Sequence, residues 1–290
     1  MPFLLVATLL WAVSFGLIKH YLGGLDANLI AWARMALALP VVLPFLRWRE
    51  LARWPGPSWR TALRLVGIGA VQFGLMYTGY IASFGFAAAH EIALFTVTTP
   101  IFVVLIHDVH ARRFDAGNLG LALLAVLGAV VLQLRGGAPS GAWLALALIS
   151  ASNLCFAFGQ IEYRRLRRAA PEVRDAAVFA WLYVGGLLVT TLTTSFSGGW
   201  GELATISAAQ AWALLYLGVV ASGLGFFLWN RGAVTAGPAA LAVANNLKIP
   251  LAVVAALTIF GEQADLLRLA IGGGIMAVAA GLAAQRRTST

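Results

Sequence analysis

Lys248 is the first residue in this chain with chemistry to explain. It lies in the apolar run Pro238–Phe260, preceded by Asn245 and Asn246 and followed by Pro250, in a chain of eighteen arginines and only two lysines. The run is long enough to span a bilayer, so these groups fall near the middle of hydrocarbon. A cation there costs at least ~2.5–3.5 kcal/mol, and Pro250 removes a backbone donor and loosens the helix one turn below. The chemistry available is recognition: an ammonium beside an amide can hold a carboxylate. At ~100° per residue, Asn245 and Lys248 lie ~60° apart and can share one cavity, whereas Asn246 points ~160° away, toward the cavity edge or a neighbouring helix. A neutral amine is easier to bury than a guanidinium, which suits a lysine to this depth. The plainer alternative is that Lys248 pairs with a buried acid or carbonyls and only holds the bundle together.

Other apolar runs carry isolated polar groups of the same kind. Glu91 stands about one turn inside its run, with Phe95 and Thr98 continuing its face at i+4 and i+7. It could exchange a proton with the outer medium, gate the outer vestibule, hydrogen-bond a ureido donor, or sit as a carboxylate at the headgroup boundary, with His90 interfacial beside it. Asn153 lies near mid-depth, Phe156 almost one turn on and Gln160 a full turn further; the amide is a ligand contact or a helix–helix hydrogen bond. Trp181 and Tyr183 could stack on an apolar ring or belong to an interfacial aromatic belt, which is the expectation for Tyr183. Trp48, Trp54, Trp59 and Trp229 are expected as membrane-edge anchors. Arg34, two turns into its run, is expected to make a fixed pair. The glycines of Gly67–Gly74, Gly218–Gly225 and Gly272–Gly274 read as close-packing surfaces. No glycine-rich loop carries the lysine of a nucleotide motif, no cysteine–histidine set has metal spacing, and no cofactor or metal is expected.

These residues need a membrane scaffold to position them. The 290 residues are 61% hydrophobic and 11% charged, with a mean hydropathy of +0.86. Soluble domains carry about twice that charge fraction, so a soluble globular fold is excluded. Ten apolar runs approach the ~20 residues that cross ~30 Å: near Pro2–Tyr21, Asn28–Leu46, Thr61–Ala82, Ala87–His107, Gly117–Leu134, Gly141–Ile161, Ala176–Phe196, Ala208–Leu228, Pro238–Phe260 and Leu266–Ala284. The first is read as a retained helix and not a signal peptide, since no basic residues precede it and no small-residue cleavage site follows. With both termini cytoplasmic, fourteen of the eighteen arginines fall on inner loops or the tail, among them Arg47, Arg112, Arg164, Arg231, Arg286 and Arg287, while Arg135 and Arg268 fall opposite. That placement accounts for most of the net charge of +9 and argues against nucleic acid as a partner.

Residues near Tyr77–Val131 register on Phe227–Gly281 at a constant offset of 150, with Pro100 on Pro250 and Asp115 on Asp265. Five segments per half is odd, so the second half inserts upside down; inverted repeats build many secondary transporters. The expected fold is an all-α membrane protein of ten transmembrane helices in two inverted five-helix repeats, residues 1–136 and 137–290.

The chain resembles the EamA-type drug/metabolite transporter superfamily through Trp11-Ala12-Val13-Ser14, Arg34, the Pro100/Pro250 pair, Phe260-Gly261-Glu262 and its small-residue last segment. The first half departs from the Gly-Glu ending, reading Ala111-Arg112. Within the superfamily it is most similar to the bacterial biotin transporter branch, through Glu91–Pro100, Ser152–Gly159, Phe179–Tyr183, Leu217–Gly225, Trp229-Asn230 and Asn245-Asn246. The resemblance implies a transporter of the bacterial inner membrane, as a monomer or homodimer, that takes up biotin or a similar small carboxylate by alternating access. It is not an enzyme. Lys248, Asn245, Asn246, Glu91, Thr98, Phe95, Asn153, Phe156 and Trp181 are the expected substrate contacts, with the buried amides suited to a ureido ring. Export of amino acids or related metabolites is the alternative.

Overall fold

The computed structural model describes residues 2–112, 116–133, 141–236 and 238–286. Among them the chain is all helical, with no strand. Seven helices are long and apolar enough to cross a membrane: α1 (Pro2–Tyr21), α2 (Ala27–Phe45), α3 (Ser58–Ser83), α4 (Ala89–His110), α6 (Trp143–Arg168), α7 (Asp175–Ser197) and α8 (Ala208–Val234). Three further α-helices are α5 (Ala116–Gln133), α9 (Pro238–Thr258) and α10 (Leu266–Arg286), and short 3₁₀ helices lie at Trp48–Arg53 and Gly199–Thr205. Asp115, one of the repeat markers, lies outside the described residues.

Local chemistry sets the helix ends. Asp26 caps α2 by accepting from the Leu29 N–H at 2.9 Å. Ser207 and Gln210 exchange side-chain and backbone bonds at the start of α8. Gly198 closes α7 at φ +76°, a backbone conformation that favours glycine.

Helices α3 and α7 cross closely because glycines meet there. A Cβ on Gly69 would strike the Leu182 carbonyl, and one on Gly185 would strike the Val66 carbonyl. Phe73 stacks on Tyr183 beside that crossing, centroids 5.1 Å apart at 18°. Two helices widen locally into π-helical turns, α3 over Ala70–Leu75 and α8 over Tyr216–Leu224. Such turns re-aim side chains and often mark functional sites. Two polar tips reach the α8 stretch: Trp11 Nε1 donates to the Ala221 carbonyl at 2.8 Å, and Tyr183 Oη donates to the Ser222 carbonyl at 2.7 Å.

Helix α4 is interrupted. Its α-helical turns stop at Phe95, pass through a 3₁₀ turn over Thr96–Thr98, and resume at Thr99. Pro100, at the start of the resumed helix, cannot donate to the carbonyl four residues back. The Thr99 hydroxyl donates to that Thr96 carbonyl instead, at 2.8 Å. A regular 3.6-residue helix does not hold across this point, so Glu91, Phe95 and Thr98 do not continue one simple face.

Several aromatic expectations are corrected. Trp229 and Tyr183 are fully buried and Trp54 is 4% exposed, so none is a membrane-edge anchor. Their polar tips find acceptors inside the protein: Trp54 Nε1 on the Leu166 carbonyl at 2.9 Å, and Trp229 Nε1 on Gln160 Oε1 at 3.4 Å. Trp48 and Trp59 are exposed as anchors would be. His90, expected at the interface, is buried.

Candidate functional site

A cavity of about 70 Å³ opens among α1, α2, α3, α4, α6, α8 and α9. Its two cations are Arg34 and Lys248; its polar groups include Ser14, Thr96, Thr99, Ser152 and Asn153; Trp11, Phe15, Tyr77, Tyr80, Phe156 and Phe226 form aromatic walls. Among the described residues no aspartate or glutamate lines it.

Lys248 enters from α9, 8% exposed. Its Nζ stands 5.6 Å from the centre of the Trp11 ring and 5.8 Å from that of Phe156, within reach of both faces for a cation–π interaction. Those rings belong to one packed group: Trp11 lies 4.9 Å from Phe226 and 5.1 Å from Trp229, with Phe156 against both Phe226 and Trp229. Helix α1 pauses at Val13, between Trp11 and Ser14.

Asn153, from α6, spends both amide hydrogens on α4. Its Nδ2 donates to the Phe95 carbonyl at 3.0 Å and to Thr98 Oγ1 at 2.9 Å. A carbonyl can only accept, which fixes the orientation of the amide and leaves its oxygen as the atom for a ligand N–H. Thr98 in turn donates to the Phe95 carbonyl at 2.9 Å. Asn153 thus braces the interrupted helix and faces the cavity at once.

Arg34, from α2, is 2% exposed. Its guanidinium lies 4.1 Å over the Tyr77 ring, and Nε donates to Ser222 Oγ at 3.1 Å in the widened turn of α8. Tyr77 Oη meets the same hydroxyl at 3.0 Å. Nη1 is buried with no hydrogen-bond partner, and Arg34 makes no ion pair among the described residues. The expected fixed acid is therefore a serine hydroxyl and an aromatic face.

The structure brings together Lys248, Asn153 and Phe156 of the expected contacts. It places four others off the cavity wall. Glu91 accepts from the Ala88 N–H at 2.9 Å and closes the first turn of α4. Phe95 is fully buried, and Thr98 stands behind the wall as the partner of Asn153. Trp181 packs edge-on against Trp48, centroids 5.4 Å apart. Asn245 and Asn246 sit on α9, but their side chains lie outside the described residues. Arg34, Trp11 and Tyr77 line the cavity without being expected as contacts, and Ser222 stands behind Arg34. Arg34 alone gave a signal, as a charge two turns inside an apolar run.

Comparison with known proteins decides the family. The EamA-like transporter family matches residues 1–134. A probable biotin transporter of Pseudomonas aeruginosa is 38% identical over 95% of this chain and 94% of its own. The biotin transporters of Salmonella typhimurium and Escherichia coli are each 36% identical over 91% of this chain and 86% of theirs. The chain belongs to the EamA-like transporter family. One crystal structure of a protein, 18% identical, superposes with a TM-score of 0.66 over 100% of this chain and 98% of that one, which places the fold alone. The chain is a transporter that spans the membrane several times, not an enzyme.

At one end of this transporter a second polar cluster joins three elements. Glu262, in the turn between α9 and α10, accepts from the backbone N–H groups of Ala89 and His90 at 3.0 and 3.1 Å. His90 Nδ1 lies 2.7 Å from Glu262 Oε2, and His20 Nε2 lies 3.4 Å from Oε1. A carboxylate only accepts, so His90 Nδ1 donates. Burial pushes the Glu262 carboxyl up, but the bonds from the His90 ring and from the His90 and Ala89 backbone outweigh it and hold the carboxyl at about 2. His20 also stacks on Phe260, centroids 5.1 Å apart at 16°. Lys19 donates to the carbonyls of Phe84 and Ala87 at 2.7 and 3.0 Å, tying α1 to the turn before α4. The opposite end is knit by arginines, with Arg167 Nε on Asp175 Oδ1 at 2.8 Å.

Proposed function

We propose that this transporter takes up biotin, or a similar small carboxylate carrying a ureido group, across the bacterial inner (cytoplasmic) membrane by alternating access. The observation that carries the reading is the cavity wall, which among the described residues has two cations, no acid, an amide oxygen, hydroxyls and aromatic faces. A carboxylate suits the cations, with Lys248 supplying positive charge from α9. A ureido N–H suits the Asn153 oxygen. The apolar bicycle of biotin suits Trp11, Phe156 and Phe226. Asn245 and Asn246 stay in this reading as contacts expected from the sequence. The relatives named biotin transporters favour this cargo over others of its chemical class.

Alternating access is supported by size. Pockets for drug-sized ligands run to ~300–1,000 Å³, several times the cavity of about 70 Å³. In this reading the cavity is contracted and the helices part to admit cargo. In this reading ten helices form two inverted halves, residues 1–136 and 137–290, that rock about the cavity. The π-helical turns at Ala70–Leu75 and Tyr216–Leu224, one in each half, fit that duplication. Both termini are cytoplasmic, as the arginine placement favours.

Counterflow of radiolabelled biotin in proteoliposomes tests the proposal. Saturable exchange is the expected result. No saturable biotin exchange, with threonine or aromatic amino acids moving instead, would refute it.

A further inference from the structure

We propose that Arg34 is the carboxylate receptor of the cavity, binding the cargo's anionic group through its Nη1 edge while Nε stays on Ser222. This rests on the reading that the cargo is a small carboxylate.

The argument begins with how the guanidinium is used. Tyr77 occupies one face at 4.1 Å and Ser222 occupies Nε at 3.1 Å. Both contacts fix the plane of the group without neutralising it. Nη1 is left without a partner on a side chain that is 2% exposed and lines the cavity. An arginine with a purely structural role, this far from water, would be expected to place that donor on a carbonyl or a carboxylate. Among the described residues the protein offers neither to Nη1, and no acid lines the cavity. A planar fork with one edge held and another open is the geometry that receives a carboxylate through parallel N–H bonds. Lys248 cannot supply that geometry, since its ammonium is a point charge on a flexible stem. The two cations therefore divide the work, Lys248 contributing charge and Arg34 contributing charge with direction.

The placement also links recognition to the two ends of the chain. Arg34 stands on α2, and the hydroxyl that orients it stands in the π-helical turn of α8, 188 residues away. A carboxylate on Arg34 bears on a contact between early and late helices, where a rocking motion would be felt.

The test compares biotin with biotinamide, which keeps the bicycle and the chain but has no charge, as competitors of biotin counterflow in proteoliposomes. The wild type is expected to prefer the acid. In Arg34→Gln that preference is expected to shrink by roughly tenfold to a hundredfold, the range for losing a charged hydrogen bond, with inhibition by the amide unchanged. Ser222→Ala, which leaves the guanidinium but frees Nε, is expected to narrow the preference several-fold. An Arg34→Gln protein that keeps the wild-type ratio overturns the proposal. If that variant does not purify as a folded protein, Arg34→Lys decides: a reduced ratio supports the fork, and a wild-type ratio overturns it. A wild type that moves no biotin overturns the biotin reading alone. The ratio is then read on phenylalanine against phenylalaninamide, with the same two outcomes.

Discussion

Glu262→Gln should loosen the clasp that joins the α9–α10 turn to α1 and α4, and the cost can be worked out. The carboxyl is held at about 2 against an ordinary 4.5. At ~1.36 kcal/mol per unit, that depression corresponds to at most roughly 3 kcal/mol of stability near neutral pH, reduced by solvent screening at this partly exposed turn. The sign follows from the direction of the shift. A carboxyl whose folded value is depressed contributes fully above its unfolded value, here 4.5, and loses that contribution as pH falls toward about 2. At most roughly 2 kcal/mol of it should disappear between pH 5 and pH 3. The glutamine amide keeps one acceptor oxygen but turns donor hydrogens toward the N–H groups of Ala89 and His90, so the variant should begin without most of this term. Thermal melting of detergent-purified wild type and variant, at pH 5 and pH 3, gives the comparison. The wild type should melt higher at pH 5, and the gap should narrow by more than half at pH 3. Equal melting at pH 5, or a gap unchanged at pH 3, would show that the carboxylate does not hold these elements together.

Lys248→Ala should cut biotin uptake by at least ~tenfold, in line with the loss of a charged contact, while the protein remains folded in the membrane. Wild-type uptake kinetics would show that the charge is not used on cargo. Glu91→Gln should leave the pH profile of uptake unaltered and cost at most ~1–2 kcal/mol, because Glu91 closes the first turn of α4 away from the cavity; a flattened profile would restore it as a proton carrier. Gly185→Ala should destabilise by about 1–3 kcal/mol, since its Cβ would meet the Val66 carbonyl and the Ala70 N–H across the α3–α7 crossing. A melting temperature equal to wild type would mean that the two helices can separate without cost.

The scaffold was legible because the bilayer imposes a length on apolar runs, and the runs at Pro2–Tyr21 and Ala208–Leu228 have that length. Lys248 was legible for the same reason: a charge in such a run must face something polar, and it lines the cavity. Orientation within a run was harder to read. Thr98 and Phe95 were extrapolated along a continuous helix from Glu91, although Pro100 was in plain sight and its missing N–H permits the 3₁₀ turn at Thr96–Thr98. Tyr183 and Trp229 were assigned to an aromatic belt by distance from predicted boundaries. That criterion cannot tell a ring tip in headgroups from one bonded to a buried acceptor such as the Ser222 carbonyl or Gln160.

Arg34 shows the limit of reading one segment at a time. Its depth argued for a partner, and an opposite charge is the usual inference. What fixes it is a hydroxyl 188 residues away and a ring on another helix, neither of which carries a formal charge or a spacing signal. A sequence can show that a buried cation needs compensation, but whether that compensation is internal depends on which helices converge. Here they converge on a cavity where, among the described residues, no acid meets the Arg34 guanidinium. Folding leaves that charge without a carboxylate from the wall, so an anionic cargo would supply one. The same imbalance that costs stability in the contracted conformation would then select an anion over its neutral analogue.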